Sequence, residues 1–341
     1  MKVVILGSPQ SGQKELFSIL TGMSLETIQE KPMETQIGIC QVRDPRMSRL
    51  IEMYKPKKIT YARIEYLLLP DFNLQGPAKN LIFTQLKNAD ELCWVTSFEN
   101  AADDVTGFVS ELVIADLMFV EKRLETIAKD QKKKFTEQKE QEAKLMERCR
   151  QKLEEDKTLR ELEFSIDEQK ILQNYQLFTL KPVIIAVNVP EDKISETNIA
   201  KGVEEKFSYP AVTLSATLEQ EVSQLEEADR AAFMQEMKIE EPAIEKMTRM
   251  AFSGLGLMVF FTVGEDEVRS WPVRKGASAP EAGSVIHSDI QKGFVRAEMF
   301  KYDQLIAAGS EAKLKELGQI SLKGKDYIVE DGDILSFRFN V

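Results

Sequence analysis

Two glycines near the start of the chain have the spacing of a phosphate-binding loop. Gly7 and Gly12 enclose four residues, among them Pro9, and they follow a short apolar run. In such a loop the backbone N–H groups wrap a phosphate, and a lysine and then a serine or threonine follow the second glycine. Here those two positions are Gln13 and Lys14. The backbone pattern is therefore present, but the charged chemistry is displaced by one residue.

This displacement changes what the loop can bind. A lysine neutralises phosphate charge, whereas Gln13 can only hydrogen-bond, and Lys14 would repel the Mg²⁺ ion that a hydroxyl normally holds. Loss of one charge-assisted hydrogen bond would weaken nucleotide binding about 10- to 100-fold. Two alternatives stay open. Lys14 swings back to the phosphate, although its Cβ points about 100° away from that of Gln13, or the segment is a strand–turn–helix corner without a ligand.

The elements around this loop indicate an α/β fold. Residues 2–6 have the pattern of a buried strand, and the helix after Gly12 carries Leu16, Phe17 and Leu20 on one face. A strand, a glycine-rich turn and a helix in this order are typical of the start of an α/β domain. Further strands are predicted at residues 64–69, 91–95, 183–187 and 212–214.

A long stretch in the middle of the chain predicts helices. Residues 111–175 contain neither proline nor glycine. Apolar residues recur there at spacings of four and three, at Val113, Leu117, Val120, Leu124 and Ile127. This spacing is typical of a coiled-coil seam. We therefore expect a helical hairpin, here called the helical arm, inserted into the α/β domain.

The charge of the helical arm differs from that of the whole chain. Residues 121–160 contain 13 basic and 10 acidic residues, in a chain whose net charge is −11. Lys132, Lys133 and Lys134 fall at the predicted tip of the hairpin. Two interpretations stay open: the arm is a solvated coiled coil with mixed charges, or these lysines contact RNA phosphates.

The last part of the chain has strand-like patterns. Strands are predicted at residues 259–263, 294–298, 327–329 and 334–339. Asp331-Gly332-Asp333 is a hairpin turn signal. One helix is predicted among these strands, at residues 302–308. The pattern predicts a compact α+β module of about 85 residues.

Composition excludes several classes of function. The 341-residue chain is acidic overall, so its surface as a whole is unsuited to non-specific binding of nucleic acid. Cys40, Cys93 and Cys149 are far apart and odd in number, which predicts neither a disulfide framework nor a zinc site. His287 is the only histidine and is interpreted as structural. No apolar segment is long enough for a signal peptide or a membrane span, so we expect a cytoplasmic protein without membrane contact.

Several segments resemble the YchF/Obg-like family of P-loop NTPases, which belongs to the translation-factor class. The loop from Gly7 to Phe17 is similar to that family's Gly-x-Pro-Asn-Val-Gly-Lys-Ser-Thr-Leu-Phe. Asn188-Val189-Pro190-Glu191 resembles its Asn-x-x-Glu base motif, and Ser215-Ala216 resembles its last nucleotide motif. Other similar segments lie at residues 44–46, 55–58, 114–117, 120–124, 268–271, 286–289, 293–298 and 331–341.

The resemblance implies a fold and a set of binding residues. It implies a Ras-like P-loop core at residues 1–110 and 179–255, the helical arm at 111–178, and a C-terminal ubiquitin-like (β-grasp) TGS domain at 256–341. It also implies ATP preferred over or alongside GTP, and association with ribosomes. The phosphates would contact Gly7, Pro9, Gly12, Gln13 and Lys14, and the base would contact Asn188, Val189, Glu191, Ser215 and Ala216.

The departures from the family pattern concern phosphate and metal. The family's Asp-x-x-Gly motif follows a strand that corresponds to residues 64–67, and here Leu68 and Asp71 stand at its Asp and Gly positions. The switch region before it is shortened, with Thr35 as a remnant. We therefore expect no catalytic residue, no metal site and little hydrolysis, with weakened binding of ATP or GTP. The alternatives are an active hydrolase with unusual ligands, and a nucleotide-independent scaffold that binds a ribosome or other RNA but not DNA.

Overall fold

The computed structural model describes residues 1–70, 78–131, 136–194, 198–237, 239 and 241–340. Contacts between residues divide the chain into two compact units. The first unit comprises Met1–Gly38 and Tyr66–Ala243, and the second comprises Ile39–Glu65 and Ile244–Val341. The domain boundaries expected from the family resemblance stay a prediction, because this division follows contacts and not family domains.

The structure alternates strands and helices through most of its length. The strands are β1 (Lys2–Gly7), β2 (Gln36–Gln41), β3 (Lys58–Thr60), β4 (Arg63–Leu68), β5 (Glu91–Ser97), β6 (Val183–Asn188), β7 (Ala211–Leu214), β8 (Leu257–Thr262), β9 (Glu267–Arg274), β10 (Phe294–Lys301), β11 (Ser321–Lys323) and β12 (Asp333–Phe339). The helices are α1 (Gln13–Thr21), α2 (Leu25–Glu30), α3 (Pro45–Tyr54), α4 (Ala78–Lys87), α5 (Ala101–Gln131), α6 (Glu137–Glu154), α7 (Ile166–Gln173), α8 (Asn198–Phe207), α9 (Ala216–Gln224), α10 (Glu227–Glu236), α11 (Ala243–Gly254), α12 (Ala279–Ile286), α13 (Ser288–Lys292), α14 (Tyr302–Ala308) and α15 (Glu311–Glu316). Short 3-10 helices lie at Leu159–Glu161, Phe178–Leu180 and Glu191–Lys193.

The first sheet confirms the predicted α/β class. Its strand order is β2-β4-β1-β5-β6-β7, and β1, β5, β6 and β7 run parallel. The apolar runs that predicted β1 and β6 are buried because helices cover both faces of a parallel sheet. Trp94 of β5 stacks on Phe108 of α5, with ring centroids 4.3 Å apart, which fixes that helix against the sheet. The carboxyl ends of the parallel strands therefore share one edge.

The helical arm packs through the seam that the sequence predicted. Val113, Val120 and Ile127 of α5 are almost fully buried in one cluster with apolar residues of α6. The helix begins at Ala101, earlier than the predicted start at residue 111. The helix passes through Gly107, where a Cβ would meet no neighbouring atom. The predicted tip, Lys132, Lys133 and Lys134, lies outside the described residues.

A buried carboxylate joins α5 to the chain that leaves the helical arm. Asp116 is 1% exposed and accepts hydrogen bonds from the backbone N–H groups of Phe178 and Thr179, at 2.9 and 2.8 Å, and from the Thr179 hydroxyl at 2.7 Å. Burial raises the pKa of Asp116 to about 6, although these hydrogen bonds oppose the rise. The carboxylate thereby fixes the 3-10 helix Phe178–Leu180, which leads directly into β6.

The second sheet corrects two predictions for the last part of the chain. Its strand order is β11-β10-β12-β8-β9-β3. The strand predicted at residues 327–329 is wrong, because among the described residues only an isolated bridge, from Ser278 to Ile328, lies there. Without that strand Asp331-Gly332-Asp333 is a turn but not a hairpin, and Gly332 adopts the left-handed region with φ 83°. The helix predicted at residues 302–308 is confirmed as α14, but α12, α13 and α15 were not predicted.

The second unit contains a segment from the first part of the chain. β3 pairs in parallel with β9 and extends the second sheet at its edge. Arg46 of α3 forms salt bridges with Asp44, at 2.7 Å, and with Asp331, at 2.8 Å. Its guanidinium also lies 5.1 Å from the ring centroid of Phe261. These contacts explain why residues 39–65 group with the C-terminal sheet. Local sequence patterns did not indicate this grouping.

The raised pKa of Asp116 predicts how stability depends on pH. Between the ordinary value of 3.8 and about 6, the folded chain binds more protons at this site than the unfolded chain. Its contribution to stability therefore falls as pH rises through this window. The side chain of Asp116→Asn cannot titrate. The free energy of unfolding of the wild type, relative to that of this variant, should therefore fall by roughly 2–3 kcal/mol from about pH 4 to pH 6. Urea unfolding at several pH values measures this difference.

Asp103→Asn is the matched control, because Asp103 is an exposed acid on the same helix. The pH trend of Asp116→Asn is read after subtraction of the trend that this control variant shows. A difference for Asp116→Asn that stays constant from pH 4 to pH 6 would show that Asp116 does not hold a proton in the folded chain.

Candidate functional site

The glycine loop lies between β1 and α1 in the first unit. Gln10 and Gly12 both adopt the left-handed region, with φ of 64° and 94°. A Cβ at Gly7 would lie 2.4 Å from the carbonyl oxygen of Val95 and 2.6 Å from the Ser11 hydroxyl. Both glycines are therefore required by the backbone path. When every second residue of such a loop is left-handed, the backbone N–H groups turn toward an anion.

The side chain at the expected lysine position is an inward-facing amide. Gln13 is 2% exposed, and its Oε1 accepts a hydrogen bond from the Ser11 hydroxyl at 2.8 Å. Ser11 is itself buried. Lys14, the next residue of α1, is half-buried, and Pro9 is exposed. The loop is thus held by neutral hydrogen bonds where a phosphate-binding loop has a lysine.

A carboxylate that the sequence analysis missed is bonded to the same loop. Oδ2 of Asp104, in the first turn of α5, accepts hydrogen bonds from the hydroxyls of Ser8 at 2.7 Å and Thr96 at 2.9 Å. No local sequence pattern indicates this contact, because it depends on the pairing of β5 with β1, which brings the residues that follow both strands to one edge of the sheet. Asp104 anchors the loop and adds negative charge beside it.

The residues assigned to the base meet the loop through Asn188. Asn188 ends β6, and its Oδ1 accepts a hydrogen bond from the backbone N–H of Ala216 at 3.1 Å. A Cβ at Gly12 would lie 2.3 Å from Nδ2 of Asn188. The backbone N–H of Val189 donates to the carbonyl oxygen of Leu214 at 2.8 Å. The structure therefore brings Gly12, Asn188 and Ala216 together at the carboxyl ends of the strands.

The remaining candidate residues differ in their surroundings. Ser215 is 1% exposed, and its Oγ has no hydrogen-bond partner among the described residues. Glu191 is exposed at the start of a 3-10 helix, whereas Val189 is buried. Leu68 is buried at the end of β4. Asp71, at the position of the family's motif glycine, lies outside the described residues.

A nucleotide and a magnesium ion fit these residues differently. The glycine loop, the amide of Asn188 and the unpartnered hydroxyl of Ser215 offer the backbone approach and polar atoms that a nucleoside phosphate needs. For Mg²⁺ the fit is poor: Leu68 offers no oxygen, and Lys14 stands at the hydroxyl position. Within the described part of the chain, no group of three or more His, Cys, Asp or Glu residues could hold a metal ion.

Three other features bear on the sequence analysis. His287 accepts a hydrogen bond from the backbone N–H of Asp289 at 3.2 Å and caps α13, which agrees with its structural interpretation. All three cysteines are buried free thiols. None of the described helices is both long enough and apolar enough to span a membrane.

Strand order, the glycine loop and the converging strand ends define a P-loop GTPase-like fold. Comparison with known proteins agrees. Residues 257–340 match the family model YchF-GTPase_C, described as "Protein of unknown function". The chain is 32% identical to the Ribosome-binding ATPase YchF of Bacillus subtilis, over 99% of this chain and 98% of the relative. It is 33% identical to the protein of the same name in Haemophilus influenzae, over 100% and 99%.

A solved structure is similar over nearly the same length. The YchF GTPase of Schizosaccharomyces pombe superposes with a TM-score of 0.86 at 26% sequence identity, covering 99% of this chain and 97% of that one. The chain therefore belongs to the YchF family.

The crowding at Gly12 predicts a difference between two glycines that flank α1. Gly12 and Gly22 both adopt the left-handed region, but a Cβ at Gly22 would meet no atom within 4 Å. Gly22→Ala should lower the free energy of unfolding by about 1 kcal/mol through backbone strain alone. Gly12→Ala should lower it by about 3 kcal/mol, because its Cβ also displaces Asn188. Equal losses, measured by urea denaturation, would show that Asn188 does not lie against the loop.

Proposed function

We propose that this chain is a cytoplasmic, ribosome-associated YchF-family protein that binds ATP or GTP weakly and hydrolyses little or none. The observation that carries this proposal is the side chain of Gln13. It occupies the position of the loop lysine, buried and hydrogen-bonded to Ser11. A nucleotide would therefore meet a loop with the backbone shape of its relatives but without their central positive charge.

The charges beside the loop support weak phosphate binding. Glu15 stands in the first turn of α1, and Asp104 is bonded to the loop through Ser8. Each carboxylate repels a bound phosphate, and the neutral amide of Gln13 supplies no positive charge to offset this repulsion. Phosphoryl transfer depends on positioning and on neutralisation of the developing charge by a lysine and Mg²⁺. Binding without efficient hydrolysis is the outcome that these groups favour.

The base side supports retained recognition of a purine. Asn188 is held by the backbone N–H of Ala216, so its amide has one preferred orientation. The buried hydroxyl of Ser215 offers a further polar atom beside it. Glu191, the altered residue of the base motif, is exposed and can approach a base from solvent. We therefore assign any residual nucleotide affinity to this side of the site.

The names of the relatives support a ribosomal partner. The Bacillus and Haemophilus relatives are named ribosome-binding ATPases. Because the alignment spans almost the whole of this chain, we extend the partner to it. We also propose that the helical arm at residues 111–178 and a β-grasp TGS domain at residues 256–341 provide the contacts with the ribosome or another RNA-containing assembly.

One alternative is a working hydrolase, which requires Lys14 to replace the loop lysine. It is favoured only by the position of Lys14 beside Gln13.

The other alternative is a scaffold that never uses nucleotide. The buried hydroxyl of Ser215, which has no hydrogen-bond partner among the described residues, favours nucleotide binding over this scaffold, because a buried polar atom without a partner is costly unless a ligand satisfies it.

Restoring the loop lysine tests the assignment of the phosphate site. Gln13→Lys with Lys14→Ser recreates the family order of residues, and it should raise ATP or GTP affinity about 10- to 100-fold over the wild type. The matched control Lys139→Ser removes a lysine of α6, far along the sequence from the loop, and should leave affinity unchanged. Isothermal titration calorimetry measures both. An unchanged affinity in the restored loop would place the nucleotide elsewhere.

Turnover separates the proposal from the active hydrolase. We expect ATP and GTP hydrolysis by the wild type to be indistinguishable from a blank without protein, with or without Mg²⁺, because the lysine and the magnesium ligands are replaced. Phosphate release at saturating nucleotide is the measurement. A Mg²⁺-dependent rate that Lys14→Ala abolishes would establish the alternative in which Lys14 serves as the phosphate ligand.

Substitution of the lysines at the predicted tip of the helical arm tests the ribosomal contact. Replacing Lys132, Lys133 and Lys134 by Glu should weaken co-sedimentation with ribosomes and reduce its salt dependence. The logarithmic slope should change by about 0.7–0.9 for each RNA phosphate that the lysines no longer neutralise. Co-sedimentation indifferent to these three substitutions would leave the arm as a solvated coiled coil.

A further inference from the structure

The hydroxyl groups around the glycine loop donate their protons to groups of the protein itself. The Ser8 hydroxyl donates to Oδ2 of Asp104 at 2.7 Å, and the buried hydroxyl of Thr96 donates to the same oxygen at 2.9 Å. The Ser11 hydroxyl donates to Oε1 of Gln13 at 2.8 Å. A hydroxyl has a single proton to give, and an ionised phosphate only accepts hydrogen bonds. In this arrangement the three hydroxyls offer a phosphate no donor.

One backbone donor is also used within the loop. The N–H of Ser11 donates to the carbonyl oxygen of Ser8 at 3.2 Å, which closes a turn between the two serines. What the loop still offers an anion is its other backbone amides and the amino end of α1, a combination that can hold one phosphate group. Glu15 stands in the first turn of that helix, where its carboxylate already interacts with the positive end of the helix dipole.

The replaced groups of the loop are those that act on the second and third phosphates. In a phosphate-binding loop the lysine reaches the β- and γ-phosphates, and Mg²⁺ bridges them. Here Gln13 stands at the lysine position, and Lys14 and Leu68 stand at positions that normally serve Mg²⁺. The affinity lost through these replacements therefore grows with the number of phosphates on the ligand.

Two carboxylates beside the loop oppose a chain of phosphates further. Asp104 is bonded to the loop through Ser8, and Glu15 follows Gly12 by three residues. Each phosphate beyond the first adds at least one negative charge to the ligand. Even through water, a like charge about 4 Å away lowers affinity roughly fivefold, and one about twice as far away lowers it roughly twofold. Two added phosphates facing two carboxylates should therefore lower affinity by about 10-fold or more.

The base side of the site does not depend on phosphate charge. The Ser215 hydroxyl is 1% exposed and has no hydrogen-bond partner among the described residues, so a ligand that bonds to it removes an energetic cost. Asn188 is oriented by the backbone N–H of Ala216 at 3.1 Å. Neutral groups of this kind recognise a base or a ribose hydroxyl. A ligand without outer phosphates therefore keeps these contacts and avoids the repulsion.

We infer that this site takes a purine nucleoside that carries at most one phosphate, and that it discriminates against diphosphates and triphosphates. The base side supplies the affinity, the glycine loop accommodates a single phosphate, and Asp104 and Glu15 repel further ones. The inference rests on the proposed nucleotide site. It reverses the order of affinity expected for a loop that has its lysine, and it makes Asp104 a determinant of specificity through its charge.

Calorimetric titration of the full-length chain tests this order of affinity. The ligands are adenosine, AMP, ADP and ATP, and the corresponding guanine series, in EDTA so that Mg²⁺ does not neutralise the phosphates. In the series that binds, the nucleoside and the monophosphate should each bind at least about 10-fold more tightly than the triphosphate, with the diphosphate between them. A triphosphate that binds as tightly as its monophosphate would overturn the inference.

A charge variant separates repulsion from a poor fit of the outer phosphates. Asp104→Asn removes the charge, while its amide oxygen can still accept the hydrogen bonds of Ser8 and Thr96. The affinity for the triphosphate, divided by that for the monophosphate, should rise about fivefold. The matched control Asp103→Asn removes the neighbouring exposed acid and should leave this ratio within about twofold. An equal rise in both variants, or no rise in Asp104→Asn, would overturn the role of Asp104.

Salt provides a second readout that leaves the protein unchanged. Raising NaCl from about 0.05 to about 0.5 M screens the carboxylates from the outer phosphates, so the same ratio of affinities should rise. A ratio that falls with salt would show that a cation attracts these phosphates, and it would overturn the inference. Loss of that fall in Lys14→Ala would identify Lys14 as the cation.

Asn188→Ala distinguishes failure of the inference from failure of the proposed function. If the triphosphate binds best and this substitution weakens its binding, the nucleotide site stands and the preference for few phosphates is wrong. If the wild type binds none of these ligands, or if Asn188→Ala leaves the affinity for the monophosphate unchanged, the proposed site is wrong and the inference falls with it. Urea unfolding of each variant ensures that loss of the fold is not read as loss of binding.

Discussion

The site in the first unit depends on the contact between Asn188 and Gly12. The amide of Asn188 occupies space that any side chain at Gly12 would need, and its oxygen holds the backbone of Ala216. One residue at the end of β6 therefore sets the distance between the loop after β1 and the start of α9. A Cβ at Gly7 would likewise crowd the carbonyl oxygen of Val95, so the loop can follow only one path. Packing therefore sets the geometry of the candidate site, whatever the charge of the loop.

Under the proposed function, that packing would explain how the shape of a phosphate loop is kept when its charged groups are replaced. A glutamine in place of a lysine at position 13, or a leucine in place of an aspartate at position 68, removes a charge without opening a cavity. Both side chains are buried, and Gln13 is hydrogen-bonded. Substitution of Gly7 or Gly12 would instead force the backbone to move. Selection for stability alone would keep the glycines, whereas only selection for phosphoryl transfer would keep the lysine and the magnesium ligands. The proposed function predicts such a difference: Gly7 and Gly12 are present, whereas Gln13, Lys14 and Leu68 stand where the phosphate and magnesium groups are expected.

Sequence patterns predicted the parts of the fold that local periodicity dictates. The buried strands β1 and β6, the seam at Val113 and Val120 and the helix α14 were all visible in short windows. Contacts between distant segments were not visible. The pairing of β3 with β9 and the salt bridge from Arg46 to Asp331 join residues more than 200 positions apart, and no local pattern carries that information. The same limit applied to Asp104, whose role depends on which strand neighbours β1.

Calorimetric titration of ATP and of GTP, each with and without Mg²⁺, tests the central claim most directly. The claim is that this family member keeps the base side of the site and has lost the groups that handle phosphate and metal. We expect weak binding whose affinity is the same with and without Mg²⁺, because Leu68 and Lys14 offer the ion no ligand. An affinity that rises about 10-fold or more when Mg²⁺ is added would contradict the claim, since the ion would then be held together with the phosphates.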